Sequence, residues 1–88
     1  MSNFYKILSN PVRLKILRCL SDRPKNVNEL VGTCGLAQSA VSQHLTKLKD
    51  IGLLTTERDG RYVFYKLLYP EAADIASKVE KLKKEIQK

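Results

Sequence analysis

The chain has 88 residues and a formal net charge of +7, with a pI of about 9.6, so one small basic domain over residues 1–88 is expected, too small to bury much surface on its own and charged to meet a polyanion. No apolar stretch approaches the length of a membrane span, and polar residues interrupt every apolar run of the N-terminal MSNFYKILSNPVRLKIL, which excludes the layout of a secretory leader. Two cysteines are too few for the disulfide framework of a small secreted domain, so a cytoplasmic protein with reduced thiols is expected.

Residues 3–9 predict a short first helix with Phe4, Ile7 and Leu8 on one side. Asn10 then suits an N-cap and Pro11 a first helical position, where the missing N–H costs nothing. The second helix carries Leu14, Ile16, Leu17 and Leu20 on its apolar side and should stop near Asp22, ahead of Pro24. Asn26 and Glu29 have capping-box spacing, which predicts a short third helix through Val31, with Gly32 and Gly35 as stop signals.

A fourth helix is expected from about 38 to 51, ended by Gly52. Val41, Leu45, Leu48 and Ile51 share one face, while Ser39, Ser42, Gln43 and Thr46 fall within about a quarter turn of each other on the opposite side. A face built only for water usually carries Lys and Glu. Short uncharged groups suit approach to the floor of a DNA major groove, where Gln pairs with adenine and hydroxyls reach base edges or phosphates. His44 points toward the Val41 and Leu48 side and is read as a partly buried histidine bonded to a neighbouring element, not as a base contact.

LLTTERDGRYVFYKLL is β-branched and aromatic on both sides of Asp59-Gly60, a strong hairpin signal. A turn at those two residues sets Arg58 opposite Arg61, Glu57 opposite Tyr62 and Thr56 opposite Val63. Like charges facing each other are destabilising, and a phosphate backbone would supply the missing counter-charge. Pro70 opens a last helix in which Ala72, Ile75, Val79, Leu82 and Ile86 recur at intervals of 3, 4, 3 and 4. Such a seam pairs one helix with another, and a second copy of the chain is the expected partner. Four helices, a β-ribbon and a helix describe a mainly α winged helix-turn-helix.

NPVRLKIL, LAQSAVSQHLTKLKDIGLL and RDGRYVFYKL, in this order, resemble the ArsR/SmtB family of winged-helix repressors, from about residue 4 to the end. The resemblance implies a cytoplasmic homodimeric repressor that binds double-stranded DNA and is released by an inducer. By position, Gln38, Ser39, Ser42, Gln43 and His44 match the family's recognition-helix segment and Arg58, Arg61 and Tyr62 its wing; Thr46 joins the expected DNA contacts from the displayed polar face, and Lys47 as a backbone contact. Arg13 and Lys15 are further expected backbone contacts. The implied dimer interface joins Phe4, Ile7 and Leu8 of the first helix to Ile75, Val79, Leu82 and Ile86 of the last.

The sensor positions depart from the family. A Cys-x-Cys metal site would fall on Asn26 and Asn28, and the last helix holds Asp74 but no histidine, so no metal and no cofactor is expected. Cys19 and Cys34 are read as a core filler and a semi-buried turn residue, with a thiol sensor as the alternative. A winged-helix protein-interaction module is the other alternative. One histidine, no glycine-rich phosphate loop and no metal cluster leave little for an enzyme to use.

Overall fold

The computed structural model describes residues 2–87. Its elements are α1 (Ser2–Leu8), α2 (Pro11–Cys19), α3 (Val27–Cys34), α4 (Gln38–Asp50), β1 (Leu54–Asp59), β2 (Tyr62–Leu67) and α5 (Glu71–Ile86). The expected order is observed, helices with one two-stranded antiparallel hairpin.

Local chemistry sets the helix ends. Asn10 Oδ1 accepts the N–H groups of Val12 (2.8 Å) and Arg13 (3.4 Å), satisfying donors that the first turn of α2 leaves open. At α3 the predicted capping box forms: the Glu29 N–H donates to Asn26 Oδ1 (2.8 Å) and the Asn26 N–H to Glu29 Oε1 (3.2 Å). That N–H, and then Arg23 (2.7 Å), hold the Glu29 carboxyl below the usual glutamate range. The helix runs past Gly32 and ends before Gly35, one turn later than expected. Gly52, at φ 91, closes α4. Its N–H donates to the Lys49 carbonyl and the Leu53 N–H to the Leu48 carbonyl, both at 3.0 Å. This is a Schellman arrangement, and it turns the chain directly into β1.

One core joins all the elements. Ile16 and Leu17 of α2, Leu30 of α3, Val41, Leu45 and Leu48 of α4 and Leu54 of β1 are its most enclosed side chains. α5 packs on α2 through Ala72, Ala73 and Ala76, whose small side chains let the two helices approach closely.

A second, short β pairing has no counterpart in the sequence-based expectation. Lys25 and Tyr65 exchange backbone hydrogen bonds of 3.1 and 2.8 Å, which fixes β2 against the segment between α2 and α3. The Lys25 side chain is buried and satisfied, donating to the Cys19 carbonyl and to Asp22 Oδ1 (2.6 Å). The Asp22 carboxyl is held below its ordinary range chiefly by that hydrogen bond.

Candidate nucleic-acid interface

Val41, Leu45 and Leu48 have no exposed surface, so they pin one side of α4 to the core. The opposite side faces solvent with Ser39, Ser42, Gln43, Thr46 and Lys47, and Gln38, nearer the core side, is exposed at the start of the helix. The helix wheel therefore places the predicted polar face correctly. Ala37 precedes α4 and has no side-chain oxygen to cap the first turn. The open N–H groups and the positive end of the helix dipole suit an anion such as phosphate. Thr46 Oγ1 donates to the Ser42 carbonyl at 2.9 Å, so one hydroxyl of the face is turned into its own helix.

His44 does what its place on the wheel suggests. Its Nδ1 accepts a hydrogen bond of 3.1 Å from Arg13 Nε on α2. Burial, then the charges of Arg13 and Lys47, push the imidazole below the ordinary histidine value. Arg13 itself is 8% exposed, so its expected role as a free phosphate contact is corrected: the guanidinium is engaged inside the fold. Lys15 is half-buried.

The wing forms, with a different register from the one expected. Gly60 and Arg61 make the turn, Asp59 pairs with Tyr62, and Arg58 stands opposite Val63 rather than Arg61. Gly60 has φ 63 and Arg61 does not share the left-handed conformation, the sign pattern of a type II′ turn with glycine first. The shift is two residues, so every side chain keeps its face. The facing-arginine argument falls. Arg58, Arg61 and Tyr62 remain exposed at the tip, and among the described residues neither arginine is in an ion pair. Arg61 and Tyr62 line a shallow cleft with Asn26, Val27 and Asn28 at the start of α3, which sets the wing tip beside the helix-turn-helix.

The terminal helices present a second surface. Ile75, Val79, Leu82 and Ile86 are 46–74% exposed along one line of α5. Phe4, Leu8, Leu14, Leu53, Tyr69 and Ile75 line an apolar groove of about 410 Å³ that continues this face toward α1. Phe4 and Leu8 are half-buried. Ile7 differs from its expected place in a dimer interface: it is 7% exposed and closes the chain's own core, leaving little of it for a partner.

Cys19 and Cys34 do not keep the separate roles of core filler and turn residue, and their arrangement is compatible with the alternative of a thiol sensor. They are joined as a disulfide, with Cα atoms 6.4 Å apart, linking the end of α2 to the end of α3 just before the turn into α4. Among the described residues there is no cluster of three or more His, Cys, Asp or Glu side chains able to hold a metal ion. Nor is any described helix long and apolar enough to cross a membrane.

Residues 10–56 match the family model described as "Bacterial regulatory protein, arsR family". The chain is 33% identical over 82 residues to the HTH-type transcriptional regulator Rv0081 of Mycobacterium tuberculosis, covering 92% of this chain and 72% of that protein. It superposes on the transcriptional repressor BigR of Xylella fastidiosa with a TM-score of 0.73 at 31% identity, covering 99% of this chain and 86% of that one. The homodimeric winged helix-turn-helix DNA-binding domain Mb0332 of Mycobacterium bovis gives a TM-score of 0.75 at 26% identity, covering 98% and 80%. These neighbours are transcription regulators by name, not enzymes. The capped α2 and the α3–α4 pair lie within the matched residues, and the chain belongs to the arsR family of bacterial regulatory proteins.

Proposed function

We propose that residues 1–88 act as a single DNA-binding domain, a dimeric repressor in the cytoplasm whose recognition helix is α4. The observation that carries this reading is the outward face of α4. Ser39, Ser42 and Gln43 are exposed on a helix whose other side is locked into the core. Gln38, Thr46 and Lys47 extend the same contact, and Arg58, Arg61 and Tyr62 of the wing grip phosphate or a minor groove. Two copies paired through α5 and the Phe4–Leu8 side of α1 would cover the exposed apolar line and read two half-sites about one helical turn apart. The homodimeric neighbour supports that pairing. Selecting a preferred duplex from random DNA and titrating it at several salt concentrations tests the reading. Specific binding with a steep negative salt slope is expected. No affinity for any duplex at low salt would contradict it and favour a protein-interaction module.

The cysteine pair favours a second reading, a thiol-responsive form of the same repressor. A peroxide would take two electrons and two protons from the Cys19 and Cys34 thiols, forming the disulfide and water. The bond would stiffen the turn leading into α4. Oxidised protein is expected to bind DNA more weakly than reduced protein, and Cys34→Ser to remove the difference. Equal affinity in both states would end this reading and leave the first intact.

A further inference from the structure

Arg13 stands where three elements meet. Its backbone belongs to the first turn of α2. Its Nη1 donates to the Ile7 carbonyl near the end of α1 at 3.4 Å, and its Nε donates to His44 Nδ1 on α4 at 3.1 Å. The planar guanidinium holds these two donors at a fixed angle, which a lysine with one nitrogen on a flexible stem does not reproduce.

The contact also fixes the histidine. With Nδ1 accepting, the proton of the neutral ring sits on Nε2. A second proton would set an N–H against the Arg13 N–H with no acceptor between them. The charged groups bearing on the ring are both cations, Arg13 from α2 and Lys47 from α4. Lys6 of α1 and Asp50 of α4 line the cleft beside Arg13 and Lys47. The Ile7 carbonyl of α1 accepts from Arg13, not from the ring.

We propose that Arg13 is a positioning residue for DNA binding, tying the recognition helix through neutral His44 to the end of α1. The functional half of this inference rests on the DNA-binding reading above. Since α1 also borders the proposed dimer face, the link sets how each recognition helix sits relative to its partner. Losing the guanidinium fork, or protonating His44, frees α4 and weakens binding without removing any group that touches DNA.

His44 is the single histidine of the chain, so its imidazole resonances need no assignment. In ¹⁵N-resolved spectra of the whole protein at about pH 8 the ring is expected as the Nε2–H form, and Arg13→Lys to loosen that preference toward a mixture. Arg13→Lys and His44→Ala are each expected to weaken binding to the selected duplex about tenfold, and the double variant to lose no more than either alone. His44→Asn keeps an acceptor near the place of Nδ1 and does not titrate. It should lose less than His44→Ala and show a flatter profile than wild type, whose affinity falls severalfold further once the pH is low enough to protonate the folded ring.

An Nδ1–H ring, multiplying losses in the double variant, or affinity that rises through His44 as pH falls would each overturn the proposal; the last would make His44 a phosphate contact. Wild-type binding with unchanged affinity in both single variants defeats the positioning role alone. Failure of the wild type to bind any duplex defeats the DNA reading and the functional half together. Should Arg13→Lys fail to fold, the ring tautomer and the His44→Ala and His44→Asn pair still decide.

Discussion

Thr46 Oγ1 hydrogen-bonds back to the Ser42 carbonyl at 2.9 Å, one turn earlier on α4. Its proton is therefore used within the helix, and what it offers outward is an acceptor. Phosphate oxygens only accept, so Thr46 in this rotamer suits a base amino group and not the DNA backbone. Gln43, exposed on the same face, offers both donor and acceptor.

Gln43→Ala should accordingly reduce the preference for the selected duplex over random DNA by about 1–3 kcal/mol. Thr46→Val removes a single acceptor, against the donor and acceptor lost with Gln43, so it should reduce that preference by less, about 1 kcal/mol or under. Fluorescence anisotropy on both duplexes measures each. Equal losses in the two variants would contradict this division of roles.

Arg58 and Arg61 occupy different positions of the wing, one paired with Val63 and one in the turn. They should act as separate phosphate contacts. Arg58→Ala is expected to weaken all sequences alike and to reduce the slope of log K against log salt by about 1; the double alanine variant should reduce it by about 2.

The capping box of α3 makes a prediction independent of DNA. Asn26→Ala removes the acceptor for the Glu29 N–H. It should cost about 1 kcal/mol in urea unfolding, with the slope of the transition unchanged.

Stability should depend on pH through His44. Its folded value is depressed below 6.5, first by burial. Below about 6.5 the unfolded chain takes up a proton that the folded chain resists, so the contribution is fully present above that pH and is lost as pH falls through the folded value. The urea midpoint of wild type should drop more than that of His44→Asn across this window.

Leu82 lies on the exposed apolar line of α5. If that line pairs two copies, Leu82→Glu sets a carboxylate into an apolar contact and should weaken self-association by about 2 kcal/mol or more in sedimentation equilibrium. A wild-type chain that stays monomeric at micromolar concentration would contradict the dimer.

The features that the sequence made legible are those spelled by neighbouring residues. Asn10-Pro11 and Asn26 with Glu29 carry their own hydrogen-bonding chemistry, and the apolar period of α4 separates its buried face from its displayed one. The hairpin was legible but its register was not, because glycine permits a turn either as the second residue of Asp59-Gly60 or as the first of Gly60-Arg61. Leu54 opposite Leu67 at the buried end, and the Lys25–Tyr65 pairing, accompany the second choice. Contacts across long sequence separations left no periodic trace. Arg13 meets His44 31 residues away, and Cys19 meets Cys34 15 residues away. Only the inward lean of His44 hinted at the first. Ile7 shares the apolar side of α1 with Phe4 and Leu8, and a single helix gives no sign of which member of such a set fills its own core.

The most direct test maps the amide resonances of the ¹⁵N-labelled protein while a selected duplex is added. Changes concentrated on Gln38 to Lys47 and on Arg58 to Tyr62, with the outward face of α5 unaffected beyond any general broadening, are the predicted result. Shifts confined to α1 and α5, with the α4 face silent, would contradict the assignment of α4 as the recognition helix.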